Sequence, residues 1–203
     1  MKNSAVILVG GFSRRLGQDK GLVELAGKPL VLHVVERIFG IVDETVVVAS
    51  SSVQGKRFDA LFGHGVKLVV DRHEPQSPLV GVLTGLETAR GEHSLLLPCD
   101  TPFVSTQIAQ FLLDKCIGRD AAIPKWPSGY LEPLHAAYNT KLTLIATKKT
   151  MEEGKLDLRS MISHLGRVRY VSTASLGQMD PKLLTFFNIN TLEDLRKAES
   201  LLK

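Results

Sequence analysis

At 203 residues, 44% of them hydrophobic and 23% charged, with no Gly/Ser or Pro-rich linker, the chain is expected to form one globular domain spanning 1–203. No stretch is long and apolar enough to span a bilayer, no signal-peptide pattern precedes the first apolar run, and the cysteines are only Cys99 and Cys116; a membrane protein, a disulfide scaffold and a cysteine-rich zinc site are excluded, and a cytoplasmic protein is expected. The formal net charge of +4 suits anionic ligands, while dispersed basic residues and 6% aromatics argue against nucleic acid as a partner.

Ala5, Val6, Ile7, Leu8 and Val9 form a continuous apolar run, the mark of a buried parallel strand. It leads into the stretch Leu8 to Lys20, Leu-Val-Gly-Gly-Phe-Ser-Arg-Arg-Leu-Gly-Gln-Asp-Lys. Gly10 and Gly11 lack Cβ, so the chain can turn sharply there and present backbone N–H groups, and Arg14, Arg15 and Lys20 add positive charge beside them. This is the chemistry of a polyphosphate cradle. It is not a P-loop, because Gly17 is followed by Gln18 and Asp19, and it misses the glycine spacing of a dinucleotide fingerprint.

Beyond it, Leu22 to Leu25 reads as a short extended piece turning at Gly27-Lys28-Pro29, and Leu30, Val34 and Ile38 predict a helix over Leu30 to Phe39. Strands are predicted at Thr45 to Ala49 and Val66 to Val70, with a short helix over Gly55 to Phe62 between them. A helix over Leu79 to Ala89 carries the small residues Gly81, Thr84 and Gly85, which permit close backbone approach. His93 to Pro98 predicts a central strand, Thr106 to Cys116 a helix with Ser105 as its cap, and Ala121 to Pro124 a further strand. Lys125 to Tyr130 is turn-rich and holds the single tryptophan, Trp126, expected to overhang a substrate; Glu132 to Tyr138 reads as a returning strand. Helices over Leu142 to Glu152 and Leu158 to Leu165, a strand over Arg167 to Val171 and a last helix capped by Thr191 complete the chain. Repeated strand, loop and helix units predict an α/β fold: a single-domain, open, mostly parallel sheet with helices on both faces.

In such sheets ligands gather outside the carboxyl ends of the strands. The glycine loop, Ser50 to Ser52, Asp71 and Asp100 each follow a predicted strand and should therefore converge. Asp100, restrained between Pro98 and Pro102, offers a hard oxygen ligand suited to Mg²⁺. His135 is a weaker candidate for contact with a substrate, and Asn190 for a second metal contact. His64, His73, His93 and His164 lack the spacing of a zinc site.

Leu8, Gly10, Gly11, Ser13, Arg15, Leu16, Gly17, Asp19 and Lys20 resemble the signature of the MobA-like nucleotidyltransferases, Leu16 standing where the family pattern has Met. Ser77-Pro78-Leu79-Val80-Gly81, Pro98-Cys99-Asp100-Thr101-Pro102-Phe103 and Phe187-Asn188-Ile189-Asn190-Thr191 resemble further family segments in the right order. The resemblance implies a Rossmann-like nucleotidyltransferase fold and Mg²⁺-dependent transfer of GMP from GTP to the phosphate of Mo-molybdopterin, with release of pyrophosphate. It implies Lys20, Arg15 and Asp100 as catalytic residues and Leu8, Val9, Gly10, Gly11, Lys20, Ser50, Asp71 and Asp100 around the nucleotide. Asp100 and Asn190 are then the metal ligands, and a molybdoenzyme or cofactor-delivery protein is a further partner. The chain departs from the family at Ala49-Ser50-Ser51, where an asparagine contacts the nucleotide. Two other readings stay open: a transferase of the same fold using a cytidylyl donor or a sugar-phosphate acceptor, and a nucleotide-binding module that delivers cofactor without turnover.

Overall fold

The computed structural model describes residues 2–10, 12–13, 17–63, 65–71 and 74–202. After β1 (Asn3–Leu8) come two short pairs: β2 (Phe12–Ser13) with β3 (Gln18–Asp19) and, beyond a 3-10 turn at Lys20–Leu22, β4 (Glu24–Leu25) with β5 (Lys28–Pro29). The chain continues through α1 (Leu30–Ile38), β6 (Glu44–Ala49), α2 (Ser52–Asp59), β7 (Val66–Val70), α3 (Pro78–Thr88) and β8 (His93–Pro98). It then forms α4 (Thr106–Cys116), β9 (Ala121–Lys125), β10 (Ala136–Asn139), α5 (Thr140–Glu152) and α6 (Leu158–Ser163). β11 (Val168–Ser172), α7 (Thr173–Leu176), a 3-10 turn at Leu184–Phe186 and α8 (Leu192–Leu201) follow.

Among the described residues the main sheet has seven strands in the order β11-β9-β10-β8-β1-β6-β7. β1 pairs in parallel with β6 and β8, and only β10 runs antiparallel, between β8 and β9. β10 starts later than the sequence predicts, because Glu132 to His135 turns instead of extending, His135 N–H donating to the Glu132 carbonyl at 3.1 Å. The expected mostly parallel sheet is present.

Alternation along β1 explains the two layers. Ala5 and Ile7 point into a core with α1, α2 and α4, whereas Val6 points into a second core with α3, α5 and α6. Gly85 of α3 lies hard against that second face: a Cβ there would stand 2.2 Å from Val6 Cγ1. Glycine lets the helix backbone settle onto the sheet.

Side-chain caps set where the helices begin. Ser51 accepts from Gln54 N–H, so α2 starts at Ser52, three residues before the glycine taken from the sequence as its start. Ser77, Ser105 and Asn139 cap α3, α4 and α5, and Thr191 forms a capping box with Asp194 at α8. A third, smaller core of Val23, Leu25, Leu30, Phe103, Ile189 and Ala198 fastens α8 to the β4–β5 pair, which carries the end of the chain back to its beginning.

Candidate active site

The chain leaves β1 toward β6 and β7 on one side and takes up β8, β10 and β9 on the other, so the sheet has its topological switch beside β1. A cavity of about 420 Å³ opens there, at the carboxyl ends of the strands. Leu8 and Gly10, Val48 to Ser50, Asp71, and Pro98 to Asp100 line it from successive strand ends. Lys20, Gln76 to Pro78, Gly81 and Leu134 complete the wall. The ladder continues one step past the strands, holding these loops in register: Val9 N–H donates to the Val48 carbonyl at 3.0 Å, Asp71 N–H to Ala49 at 2.8 Å, and Cys99 N–H to Leu8 at 3.2 Å.

Lys20 and Asp100 meet in this cavity. The Lys20 ammonium donates to Asp100 Oδ2 at 2.9 Å and to Asn190 Oδ1 at 2.6 Å. Ile189 N–H donates to the Asp100 carbonyl at 2.9 Å, so the segment before α8 is pinned to the loop after β8 by its backbone. Its residues divide the work: Asn188 closes a turn onto the Phe186 carbonyl, Ile189 is buried, Asn190 reaches Lys20 and Thr191 caps the helix. Asp100 is buried, and its Oδ1 has no hydrogen-bond partner among the described residues. An orphaned carboxylate oxygen beside an amide oxygen is a hard donor set that fits Mg²⁺, which binds through one or two protein oxygens and keeps water or phosphate for the rest. Among the described residues no group of three His, Cys, Asp or Glu side chains stands ready for a metal.

Around the cavity, Asp71 Oδ1 accepts from Thr84 Oγ1 at 2.9 Å, and the Gln76 amide donates to the Ser50 carbonyl across the rim. Leu8, Gly10, Ser50, Asp71, Lys20 and Asp100 are thus gathered as expected from the sequence. Gly11, Arg15, Arg14, Leu16, His64 and His73 lie outside the described residues. Val9 differs from expectation: its side chain is fully buried in the core, its N–H serves the ladder, and its carbonyl accepts from Gln54.

Three further residues have structural roles, and of these only Trp126 departs from its sequence reading. His135 is buried away from the cavity, with Nε2 3.1 Å from Thr101 Oγ1 and its ring edge-on to Phe186; burial pushes its pKa down to about 3, so it is a neutral core histidine. Trp126 donates from Nε1 to Glu132 at 2.7 Å and packs on Phe186, so it belongs to the core margin and does not line the cavity. Cys99 does line the cavity, but burial pushes its thiol well up and the Asp100 charge adds to the effect, leaving an inert thiol.

Gln54 and Gln76 are the site residues that the sequence reading passed over. Gln54 carried a legible signal: Ser51-Ser52-Val53-Gln54 has capping-box spacing, although here the glutamine reaches back to Ser50 instead of the cap residue. Gln76 has no such mark.

Gly10, Lys20 and Asp100 are brought together at the switch point of an open α/β sheet, and the chain is a nucleotidyltransferase. The chain matches the MobA-like NTP transferase domain over residues 5–168 and belongs to that family. It is 36% identical over 197 residues to a probable molybdenum cofactor guanylyltransferase of Methanosarcina mazei, covering 95% of this chain and 88% of that one. A protein of Pyrococcus horikoshii with the same description is 35% identical over 201 residues, covering 96% and 98%. Among solved structures, molybdopterin-guanine dinucleotide biosynthesis protein A from Archaeoglobus fulgidus superposes with a TM-score of 0.83 at 28% identity, over 98% of both chains.

Proposed function

We propose that the chain is a molybdenum cofactor guanylyltransferase, moving GMP from GTP to the phosphate of Mo-molybdopterin and releasing pyrophosphate, with residues 1–203 acting as one domain. The observation that carries this reading is the meeting of Lys20 and Asp100 in a cavity at the strand ends, with Asn190 bonded to the same ammonium. The descriptions of the relatives at 35–36% identity support the choice of donor and acceptor.

In the reaction, an oxygen of the acceptor phosphate bonds to the α-phosphorus of GTP, and the bond from that phosphorus to the β-bridging oxygen breaks. The nucleophile is already ionised, so no general base is required; the barrier is repulsion between anions and the charge left on pyrophosphate. Lys20, Arg15 and the backbone of Gly10 and Gly11 are assigned to that charge. Leu8, Ser50 and Asp71 border the nucleoside end. Asp100 and Asn190 would hold Mg²⁺, whose bound form supplies charge neutralisation at the phosphate oxygens. Asp100 Oδ1 is open to the metal as it stands, whereas Asn190 can contribute only if the Lys20 ammonium leaves its amide oxygen and turns toward the phosphates. A molybdoenzyme or delivery protein would receive the product.

The test is pyrophosphate release from each of GTP, ATP, CTP and UTP, with and without Mo-molybdopterin. Release that needs both GTP and the pterin is expected, with Mg-GTP binding more tightly than Mg-ATP or Mg-CTP in calorimetric titration. Release with CTP or with a sugar phosphate would reassign the substrates, and binding without release under every pairing would leave a nucleotide-binding module.

A further inference from the structure

We propose that Gln54 is the positioning residue of this site: its buried carboxamide fixes Ser50 on one side and Asp19 on the other, and so sets where the Lys20 ammonium stands. The inference rests on the nucleotidyl-transfer reading above. Gln54 lies on the first turn of α2, is only 4% exposed, and does not line the cavity. Its Oε1 accepts from Ser50 N–H at 2.7 Å and from Ser50 Oγ at 3.1 Å. Its Nε2 donates to the Val9 carbonyl at 3.1 Å and to Asp19 Oδ1 at 3.1 Å. Two donations and two acceptances use the full capacity of an amide.

Those partners lie in or next to three separate pieces of the cavity wall. Val9 stands between Leu8 and Gly10, Ser50 opens the loop after β6, and Asp19 immediately precedes Lys20. Gly10 stands so close to the Ser50 loop that a Cβ there would lie 3.3 Å from Ser50 Cβ, so a displaced Ser50 would disturb Gly10 as well. Arg57, one helical turn beyond Gln54 on the same side of α2, donates to the other oxygen of Asp19 at 3.0 Å. That guanidinium is more than half exposed, which leaves Gln54 as the buried half of the clamp on Asp19.

The chemistry requires an amide. The atom facing Val9 and Asp19 must be a donor, because both partners are acceptors, and the atom facing Ser50 N–H must be an acceptor. Glutamate keeps the acceptor toward Ser50, but toward Val9 and Asp19 it can donate only when protonated. Burial and the Asp19 charge both raise the pKa of a carboxyl placed there, while Arg57 partly opposes them; these are the charged groups that face the position from β3 and α2. Below that raised pKa the protonated acid reproduces the amide, and above it the ionised acid repels Asp19.

The experiment is steady-state kinetics of Gln54→Glu and wild type over about pH 5.5 to 8.5 with whichever Mg-NTP supports pyrophosphate release, thermal melting at each pH confirming the fold. We expect the ratio of variant to wild-type kcat to fall about tenfold or more as pH rises, with KM for the nucleotide changing less than about threefold, and Gln54→Leu to be slow at every pH. A variant that tracks wild type across the range, or one that loses KM with kcat intact, overturns the proposal. Amide hydrogen exchange at Ser50 reads the same tie without any turnover, being expected to quicken in Gln54→Leu and to stay slow in Gln54→Glu. If wild type releases pyrophosphate from no nucleotide the function reading fails, yet equal Ser50 exchange in wild type and Gln54→Leu would separately overturn the role of Gln54.

Discussion

Lys20 and Asp100, 80 residues apart in the chain, stand 2.9 Å from each other between Nζ and Oδ2, and the second oxygen of the same carboxylate is buried without a partner among the described residues. A buried acceptor left unmade costs roughly 1–3 kcal/mol, so Asp100 is an expensive choice for a residue whose sole task is an ion pair. Asp100→Asn keeps an oxygen for Lys20 and removes the charge. It is expected to abolish Mg²⁺-dependent transfer while circular dichroism and the melting temperature stay close to wild type. Turnover like wild type in this variant would remove Asp100 from the mechanism.

Lys20 differs from a surface cation, its side chain being mostly covered and held by two oxygens from distant segments. Its ammonium is expected to act on charge that develops in the transition state more than on bound GTP. Lys20→Ala should lower kcat by about a hundredfold to a thousandfold while raising KM much less. Steady-state kinetics decides between this and a binding role, in which KM would rise and kcat would hold. A change within a factor of two in both would reduce Lys20 to a structural charge.

Asp120, at the head of β9, joins that strand to β11. Its Oδ2 accepts from the backbone N–H groups of Gly166 and Arg167 at 2.9 and 3.0 Å, and Oδ1 from Arg167 Nε at 3.2 Å. Burial works to raise this carboxyl, but those hydrogen bonds and the guanidinium outweigh it and hold the group below the usual carboxylate range. A depressed folded pKa means that the ionised side chain stabilises the protein above the unfolded value and that this contribution fades as pH falls through the folded one. Asp120→Ala is expected to lose about 1–3 kcal/mol in urea unfolding at pH 7. The gap to wild type should narrow below about pH 4, and a gap independent of pH would assign the loss to packing.

Gly85→Ala pits two effects against each other. Alanine gains about 1 kcal/mol in helix propensity, whereas the new methyl would stand 2.2 Å from Val6 Cγ1 and 3.2 Å from Val48 Cγ2. Both neighbours are β-branched residues fixed in central strands, so they yield only by moving α3 off the sheet, at about 1–3 kcal/mol. Net destabilisation is expected in denaturant unfolding. A more stable variant would show that α3 shifts freely over β1.

The scaffold was largely legible because its signals are local. β7, β8 and α4 coincide with their apolar runs and periodicity residue for residue. The convergence of Gly10, Ser50, Asp71 and Asp100 followed from one rule about strand ends. What stayed hidden was pairing. Nothing in the sequence around Asn190 marks it as the partner of Lys20, because their contact depends on the small core that returns α8 to the β4–β5 pair. In the sequence the turn-rich segment around Trp126 points toward a substrate and His135 is only a weak candidate for one, and both side chains find their partners within the protein, in Glu132, Thr101 and Phe186. Gln54 was hidden for a third reason: a helix-start pattern announces a cap and says nothing of the strand carbonyl and the aspartate that the same side chain ties down.

The partners of Lys20 lie 80 and 170 residues further along the chain. A ribosome makes the ammonium first, then the carboxylate and then the amide. Over the next 80 residues the nascent protein therefore carries the lysine without either of the oxygens that will hold it, and over the 90 after that with the carboxylate alone. Fragments that stop short of Asn190 leave that lysine only half restrained, and its full set of partners is in place only as α8 packs against the β4–β5 pair.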